Sequence, residues 1–402
     1  MFGFLSSSSR QLLFIAHRKT QLGFLQKNAC FMFKSFTSIG LSESEQQKEH
    51  SFTVSYLINS CGLSPKSALL ASKRVHFENP DRPDSVLNLF KENGFEETQI
   101  TKLVRVVPRL LISDPKNTIL PKIEFFRSKG ISSSDLCRII TSSPDLLLRS
   151  LKNHLIPGYD FLKSLLLEND KVIKTFKRSQ WSFLNNVTNT MVPNIALLRE
   201  VGASQSTISF LVTYSPYVAS IKSSRFVKAV QEVKEMGLDP SKIAFAKAIV
   251  VVLTSNKPTW EYKVEIFRRW GWSKEDTLFA FKRNPNFMLL SEEKIMKVMN
   301  FLVNNFGRPS TDIAKNPVVL LLSLEKRIIP RCSVVQILIA RDLVKNGLGF
   351  SAFLHINEKS FLEKYVIKFQ DVVPQLLSVY QNKMDILDVE IQSEKVCGTG
   401  QL

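Results

Sequence analysis

The chain has 402 residues, a formal net charge of +18 and 44% hydrophobic residues, which is enough for a substantial core. A positive surplus of this size favours polyanionic partners such as nucleic acid or an anionic membrane surface. The five cysteines and five histidines are scattered without a CxxC or HExxH pattern, which argues against a disulfide framework or a zinc site. No apolar run approaches the roughly 18 to 20 residues that a membrane span needs.

The first 42 residues have the composition of a targeting segment. They contain no Asp or Glu, five Lys or Arg and a serine run at 6–9. A basic, serine-rich, acid-free start predicts an organellar transit peptide over residues 1–42. Basic and apolar residues between Arg10 and Lys19 can form an amphipathic helix, which favours the mitochondrion, while the serine content keeps the chloroplast as the alternative. A disordered basic tail is the other interpretation.

Glycine and proline then recur with a common period. Six glycines are spaced by 34 to 36 residues or, once, by 72, with Leu166 at the skipped position; they are Gly94, Gly130, Gly202, Gly237, Gly271 and Gly307. A proline follows four of them after 14 residues, as Pro108, Pro144, Pro216 and Pro285. A third register consists of Pro121, Pro157 and Pro193, each 36 apart. This periodicity predicts an all-α chain built from repeats of about 35 residues.

Residues 119–148 show how one repeat is expected to fold. Pro121 suits the first turn of a helix, and Gly130 suits its left-handed C-terminal end. Ser132 or Ser133 can cap a second helix. Pro144 stops that helix, and the short leucine-rich segment after it is expected to pack inward as a turn.

Three repeats depart from the pattern. The repeat at Leu166 has Gln180 in place of the proline, and the repeat at Gly237 has Val251 there. In the last repeat Pro317 comes only ten residues after Gly307. The loss of four residues removes about one helical turn, so a short second helix is expected there.

Four segments carry a resemblance to a known family. They are FTVSYLINSCG at 52–62, VPRLL at 107–111, ILPKIEFF at 119–126 and SPDLL at 143–147. With the glycine-to-proline spacing, they make residues 52–380 similar to the mitochondrial transcription termination factor (mTERF) family in its land-plant form. The resemblance implies a right-handed α-solenoid of helix, helix and 3₁₀ turn, curved into a half-ring. It also implies a basic groove that binds double-stranded DNA or, in some members, RNA.

The sequence offers no enzymatic constellation, cofactor motif or metal site; Gly347-Leu-Gly349, for example, lacks the rest of a phosphate-binding fingerprint. Function is therefore expected to depend on cationic side chains, arranged as a stripe of basic residues that follows a phosphate backbone. The predicted nucleic-acid contacts are Arg109, Lys122, Arg149, Lys152, Lys177, Arg178, Lys222, Arg225, Arg268, Arg269, Lys282 and Arg283. Any one of them taken alone is more often a solvated surface residue, so the stripe as a whole is the prediction.

Three functions stay open at this point. The first is a monomeric organellar factor that binds double-stranded DNA and regulates or terminates transcription. The second is an RNA-binding factor for intron splicing or ribosomal RNA maturation, and the third is a protein-binding helical scaffold. Trp260, Trp270 and Trp272 are interpreted as core or groove-lining residues rather than base-stacking ones. Residues 384–402 reverse the sign of the charge and predict a disordered acidic tail.

Overall fold

The fold was taken from a computed structural model, which describes residues 51–178, 187–381 and 383. The predicted transit peptide at 1–42 and the acidic tail at 384–402 lie outside these residues. Across the described ranges the chain forms helices and turns and no strand, which confirms the all-α prediction. The right-handed half-ring stays an expectation of the family resemblance.

The α-helices follow one another with short connections. The first eleven are α1 Phe52–Asn59, α2 Pro65–Ser72, α3 Asp81–Glu92, α4 Glu97–Val106, α5 Leu120–Ser128, α6 Ser133–Ser142, α7 Ile156–Leu166, α8 Asn169–Arg178, α9 Val187–Glu200, α10 Gln205–Tyr214 and α11 Pro216–Ala219. The next ten are α12 Ser223–Glu235, α13 Ile243–Thr254, α14 Lys257–Arg269, α15 Lys274–Arg283, α16 Glu292–Asn300, α17 Ser310–Lys315, α18 Ile329–Ala340, α19 Phe350–Phe353, α20 Glu358–Phe361 and α21 Leu376–Tyr380.

The helices group into two compact units. Among the described residues, the first unit comprises 51–178, 187–231 and 240–246, and the second comprises 232–239, 247–381 and 383. Phe90, Phe126 and Phe226 are fully buried in the first unit, and Phe267, Phe281 and Phe287 in the second. Buried phenylalanines therefore contribute to the core of each unit.

Each repeat consists of a first helix, a glycine, a second helix and a turn that begins with proline, which we call the proline turn. Gly94, Gly130 and Gly202 have φ values of +86°, +82° and +88°, so they end the first helices in the left-handed conformation that glycine adopts without strain. Ser132 accepts a hydrogen bond from the Asp135 N–H and so caps α6. Both features confirm the sequence-based reading of the repeat.

The proline turns are 3₁₀ helices in four repeats, at Pro108–Ile112, Pro144–Leu148, Pro285–Leu289 and Pro317–Leu321. Two apolar residues after each proline are buried, as Leu110 and Leu111 or Leu146 and Leu147 illustrate, whereas Leu148 at the end of its turn is exposed. In the repeat with Pro216 the same place is taken by the single helical turn α11. The turns therefore pack inward as expected.

Pro121 and Pro157 of the third register each follow a widened helical turn, while Pro193 lies inside α9. Pro121 lies in the first turn of α5, but helical structure begins five residues earlier, in a π-turn at Pro115–Ile119 that Asp114 caps. The same π-turn precedes Pro157 and also Pro330. A proline ring clashes with the carbonyl one α-turn back and lacks an N–H, and a wider turn accommodates both defects.

Neighbouring repeats are joined at the edge where the first helices end, which we call the glycine edge. The carbonyl just before the terminal glycine or its substitute accepts a hydrogen bond from the next second helix, 40 residues on. The donors and acceptors are Thr101 to Cys61 (2.8 Å), Asn169 to Lys129 (2.9 Å), Gln205 to Leu165 (2.5 Å) and Ser310 to Trp270 (2.6 Å). Each of these carbonyls can accept a hydrogen bond from another helix, because carbonyls at the end of a helix have no N–H partner within it.

At the opposite edge, where the proline turns lie, side chains on the first helices donate hydrogen bonds to backbone carbonyls of the turns. Asn194 donates to the carbonyls of Ala219 (3.0 Å) and Ile221 (2.8 Å). In other repeats lysines donate to the corresponding carbonyls: Lys122 to Leu147, Lys263 to Leu290 and, at 3.0 Å, Lys294 to Leu321. Burial lowers the pKa of all three lysines, because a desolvated ammonium is disfavoured.

The irregular repeats also fold as their sequences indicate. α17 spans six residues where α15 spans ten, which confirms the short second helix after Gly307. α13 runs from Ile243 to Thr254 and is followed directly by the cap of α14, without a proline turn. The position of Gln180 in the repeat at Leu166 lies outside the described residues.

Leu167 ends α7 with a positive φ, one residue after Leu166 at the periodic glycine position. Its φ is +64° and its ψ is −36°, and the Glu168 N–H donates to the Leu166 carbonyl at 2.7 Å across it. This is a γ-turn with positive φ, a conformation that strains a residue with a Cβ. The side chain is 68% exposed, so it gains little from packing in return.

The substitution Leu167→Gly is therefore expected to stabilise the protein by about 1 kcal/mol, since relief of the strain exceeds the entropy cost of a glycine. Urea unfolding followed by circular dichroism measures the change. Leu70→Gly is the control, because Leu70 is also exposed but lies inside α2; it should destabilise by roughly 1 kcal/mol. A loss of stability in Leu167→Gly would contradict the assignment of strain.

Candidate nucleic-acid interface

Residues at equivalent positions on the second helices of the first unit point in the same direction. α4, α6, α8 and α10 begin at residues 97, 133, 169 and 205, each 36 apart, and consecutive ones pack against each other. Residues separated by multiples of 36 therefore project from neighbouring helices on one face. The sixth position of three successive helices is basic, as Lys102, Arg138 and Lys174.

These three residues, with Arg178 one turn beyond Lys174, form a basic surface that we call the cationic row. Lys102 is half-buried, and Arg138, Lys174 and Arg178 are exposed. Arg138 forms an ion pair with Asp135 at 2.8 Å on its own helix, which is a weak surface interaction. The row therefore keeps most of its positive field directed at the solvent.

The row ends at two aromatic residues. Phe210 and Tyr214 are the sixth and tenth residues of α10, the positions that Lys174 and Arg178 occupy on α8. Their ring centroids are 4.8 Å apart. Lys174 donates to the Tyr214 hydroxyl at 2.9 Å, and the Arg178 guanidinium lies 4.9 Å from the ring centre. The hydrogen bond from Lys174, with the nearby charges, lowers the pKa of Tyr214. Two cations and an exposed aromatic ring thus share one site.

The second unit repeats this pairing of cation and aromatic ring on a smaller scale. On α15 the guanidinium of Arg283 lies 5.3 Å from the ring centre of Phe279, which is 46% exposed. Lys315, at the sixth position of α17, is exposed as well. Basic residues in the last turn of these helices also interact favourably with the helix dipole.

The predicted contact residues fall into separate groups. Five lie at or just after a proline turn, and of these all but the half-buried Arg149 are exposed; the group is Arg109, Arg149, Lys152, Lys222 and Arg225. Arg109 donates from Nε to the Arg74 carbonyl at 3.3 Å. The equivalents of Arg109 in other turns are Asp145, Tyr217, Asn286 and Val318, so this position does not make a basic stripe.

Other predicted contacts have local partners. Lys177 forms an ion pair with Asp135 at 2.5 Å. Lys282 reaches Gly237, where an added Cβ would lie 3.0 Å from its Nζ. Arg268 and Arg269 both pair with Glu265, at 2.7 and 3.7 Å, near the glycine edge. Of the twelve predicted residues, Arg178 alone belongs to the cationic row.

Lys122 is placed in the interior, with 5% of its surface exposed and its ammonium bonded to the Leu147 carbonyl. It stabilises the proline turn of its own repeat, and we leave it out of the proposed interface. Sequence reasoning could not separate it from surface lysines, because the pattern of buried donors shows only when Lys122, Asn194 and Lys263 are aligned eight residues before their glycines.

The substitution Lys122→Met is expected to lower the free energy of unfolding by about 1 to 3 kcal/mol, because it leaves the buried Leu147 carbonyl without a donor. Hydrogen exchange of residues 115–148 should speed up accordingly, while the nucleic-acid affinity of the folded protein stays unchanged. Lys152→Met is the matched control and should alter stability by no more than about 0.5 kcal/mol. Equal stability of the two variants would refute the structural role of Lys122.

Sequence reasoning missed Lys102 and Arg138, although the steps of 36 residues from Lys102 to Arg138 and from Arg138 to Lys174 are visible in the sequence. The tryptophan interpretation holds for Trp272, which is 2% exposed and stacks on Phe267 with centroids 4.6 Å apart. Trp260 packs edge-on against Phe281. No helix within the described ranges is long and apolar enough to cross a membrane.

Comparison with known proteins identifies the repeats. A family model described as mTERF matches residues 87–247 and 243–362. The chain is also similar to an Arabidopsis thaliana protein named transcription termination factor MTERF15, mitochondrial, with 25% identity over 109 residues. That match covers 27% of this chain and 24% of the relative, so the chain spans about a quarter of the length of the curated relative it matches.

Proposed function

Because the chain belongs to the mTERF family, whose members are nucleic-acid-binding helical repeat proteins with organellar, transcription-related roles, we propose that it is a monomeric factor that binds double-stranded DNA and regulates or terminates transcription. We place it in the mitochondrion, with the chloroplast as the alternative. The proposal includes no catalytic step. The cationic row is the observation that carries it.

The spacing of the row suits a phosphate backbone. Packed helices are separated by about 8 to 10 Å, so the row offers one basic position at that interval. One strand of duplex DNA rises about 3.4 Å along the helix axis per nucleotide, so the interval between successive helices corresponds to about two to three nucleotides of axial rise. Contacts of this kind provide affinity and salt dependence, while sequence choice requires base contacts as well.

The aromatic end of the row favours a second candidate function, RNA binding in intron splicing or ribosomal RNA maturation. Tyr214 is 41% exposed and lies against Lys174 and Arg178. Exposed aromatic rings beside a basic track are the surface on which unpaired bases stack. A duplex-binding surface has no comparable need for Tyr214.

Immunoprecipitation of a tagged copy from purified organelles tests the two functions. DNA and RNA are sequenced separately, each with and without RNase treatment. Enrichment of one DNA locus that survives RNase supports transcriptional control, and the locus identifies the organelle. Enrichment of one intron or ribosomal RNA that is lost with RNase supports the RNA function. Recovery of proteins without any enriched nucleic acid would reject both in favour of a scaffold.

A further inference from the structure

A second basic site lies within the second unit. A cleft of about 680 Å³ opens between the last proline turn, the start of α18 and the segment around Ile356. Its polar lining is Ser323, Lys326, Arg327, Arg331, His355, Asn357, Glu358 and Tyr380. The volume falls in the range of roughly 300 to 1,000 Å³ that is usual for sites of small organic ligands.

The cleft carries three cations against a single carboxylate. Arg331 is 2% exposed, and in the described part of the chain neither it nor Arg327 has a carboxylate within ion-pair distance. Burial, and then the charge of Arg327, lower the pKa of Arg331. Glu358 is engaged by the Tyr380 hydroxyl at 3.4 Å. The charge of Glu358 and a hydrogen bond with Tyr380 favour the charged form of Arg331, so one carboxylate serves the three cations of the cleft.

Backbone carbonyls satisfy only part of these guanidinium groups. Arg331 donates to the carbonyls of Phe353 and Ile356, both at 2.7 Å, and Arg327 donates to Ile356 at 2.5 Å. The Nε atoms of both arginines are buried and have no hydrogen-bond partner. A buried, unpaired donor on a charged group is costly, and the field of an anion in the cleft would favour the charged form of both arginines.

The rest of the lining selects the kind of anion. Inorganic phosphate is far smaller than the cleft, and His355, Asn357 and Tyr380 offer ring faces and an amide beside the cations. Arginine pairs and lysine recognise phosphate oxygens through charge-assisted hydrogen bonds. We propose that the cleft binds the terminal phosphate of a nucleotide, with Lys326 and Arg327 on the phosphate and the neutral side chains around the nucleoside. The phosphate belongs either to a free nucleotide or to the end of a nucleic-acid strand.

Calorimetric titration of the full chain tests the site with AMP, adenosine and inorganic phosphate as probes. We expect AMP to bind at least about tenfold more tightly than adenosine, since the phosphate supplies the charge-assisted bonds. The double variant K326Q/R327Q should lower AMP affinity by about tenfold or more. K359Q is the matched control, because Lys359 is 85% exposed on the neighbouring α20 and does not line the cleft.

A 5′-phosphorylated oligonucleotide and its 5′-hydroxyl counterpart separate the two sources of the phosphate. Competition with AMP by the phosphorylated strand alone points to a strand end, and competition by neither points to a free nucleotide. Equal binding of AMP and adenosine, or unchanged AMP binding in the double variant, would overturn the proposal. If the double variant does not fold, K326Q alone serves, because the Lys326 side chain is exposed.

The site does not depend on the proposed function. Binding of an internal duplex through the cationic row should be the same in K326Q/R327Q and in the wild-type protein. Failure of AMP binding with intact duplex binding would therefore remove the cleft proposal alone.

Discussion

Charge reversal of Lys174 and Arg178 together is expected to lower the affinity for double-stranded DNA by about 10- to 100-fold at moderate salt. Both side chains are exposed at the end of the cationic row that adjoins Tyr214, so the change removes two phosphate contacts and adds repulsion. The slope of log affinity against log salt should fall by about 2, since each contact contributes about 0.9. Fluorescence anisotropy over a range of salt concentrations gives both quantities.

The control K359E/K364E changes the net charge by the same amount on an exposed surface outside the row. It should reduce the affinity only slightly, through the general field of the protein. An equal loss in both variants would mean that total charge, rather than the row, determines binding.

Tyr214→Leu adds a separate test, because it should weaken single-stranded RNA binding and leave duplex binding unchanged if the aromatic end stacks unpaired bases.

Arg331→Met is expected to cause the largest loss of stability, about 3 kcal/mol or more. The buried Phe353 carbonyl would lose its donor at 2.7 Å, and an unsatisfied group costs about 1 to 3 kcal/mol. The Ile356 carbonyl would lose one of its two donors and keep Arg327. The guanidinium also lies 4.7 Å from the ring centre of Phe361, a contact that methionine replaces only in part. Urea unfolding followed by tryptophan fluorescence measures the loss, since Trp260, Trp270 and Trp272 all lie in the second unit.

The conservative variant Arg331→Lys separates hydrogen bonding from packing. Lysine fulfils this role at Lys122, Lys263 and Lys294, so Arg331→Lys should retain more of the stability than Arg331→Met. Lys326→Met is the surface control and should change the stability by no more than about 0.5 kcal/mol. A stable Arg331→Met variant would mean that the carbonyls find other donors and that the arginine is not required for the fold.

Basic residues show most clearly where sequence reasoning stops. Lys122 and Lys152 both lie near the start of the first helix of a repeat, yet one is buried on a carbonyl and the other is exposed. The difference depends on whether a proline turn 25 residues away presents a carbonyl to the side chain, which is a tertiary contact. Lys177 and Arg178 are adjacent in sequence, but Lys177 is paired with Asp135 while Arg178 lies against Tyr214.

The sequence by itself determined the repeat, its helices and most of their ends. These features depend on local chemistry: glycine at positive φ, serine caps and proline stops act within a few residues, and the 36-residue spacing repeats them. Tertiary structure alone decided which cations are exposed, which fasten the turns, and that two arginines from α18 and its preceding turn meet carbonyls near Ile356. Those outcomes depend on contacts between segments 20 to 40 residues apart, for which a lysine or arginine carries no local signal.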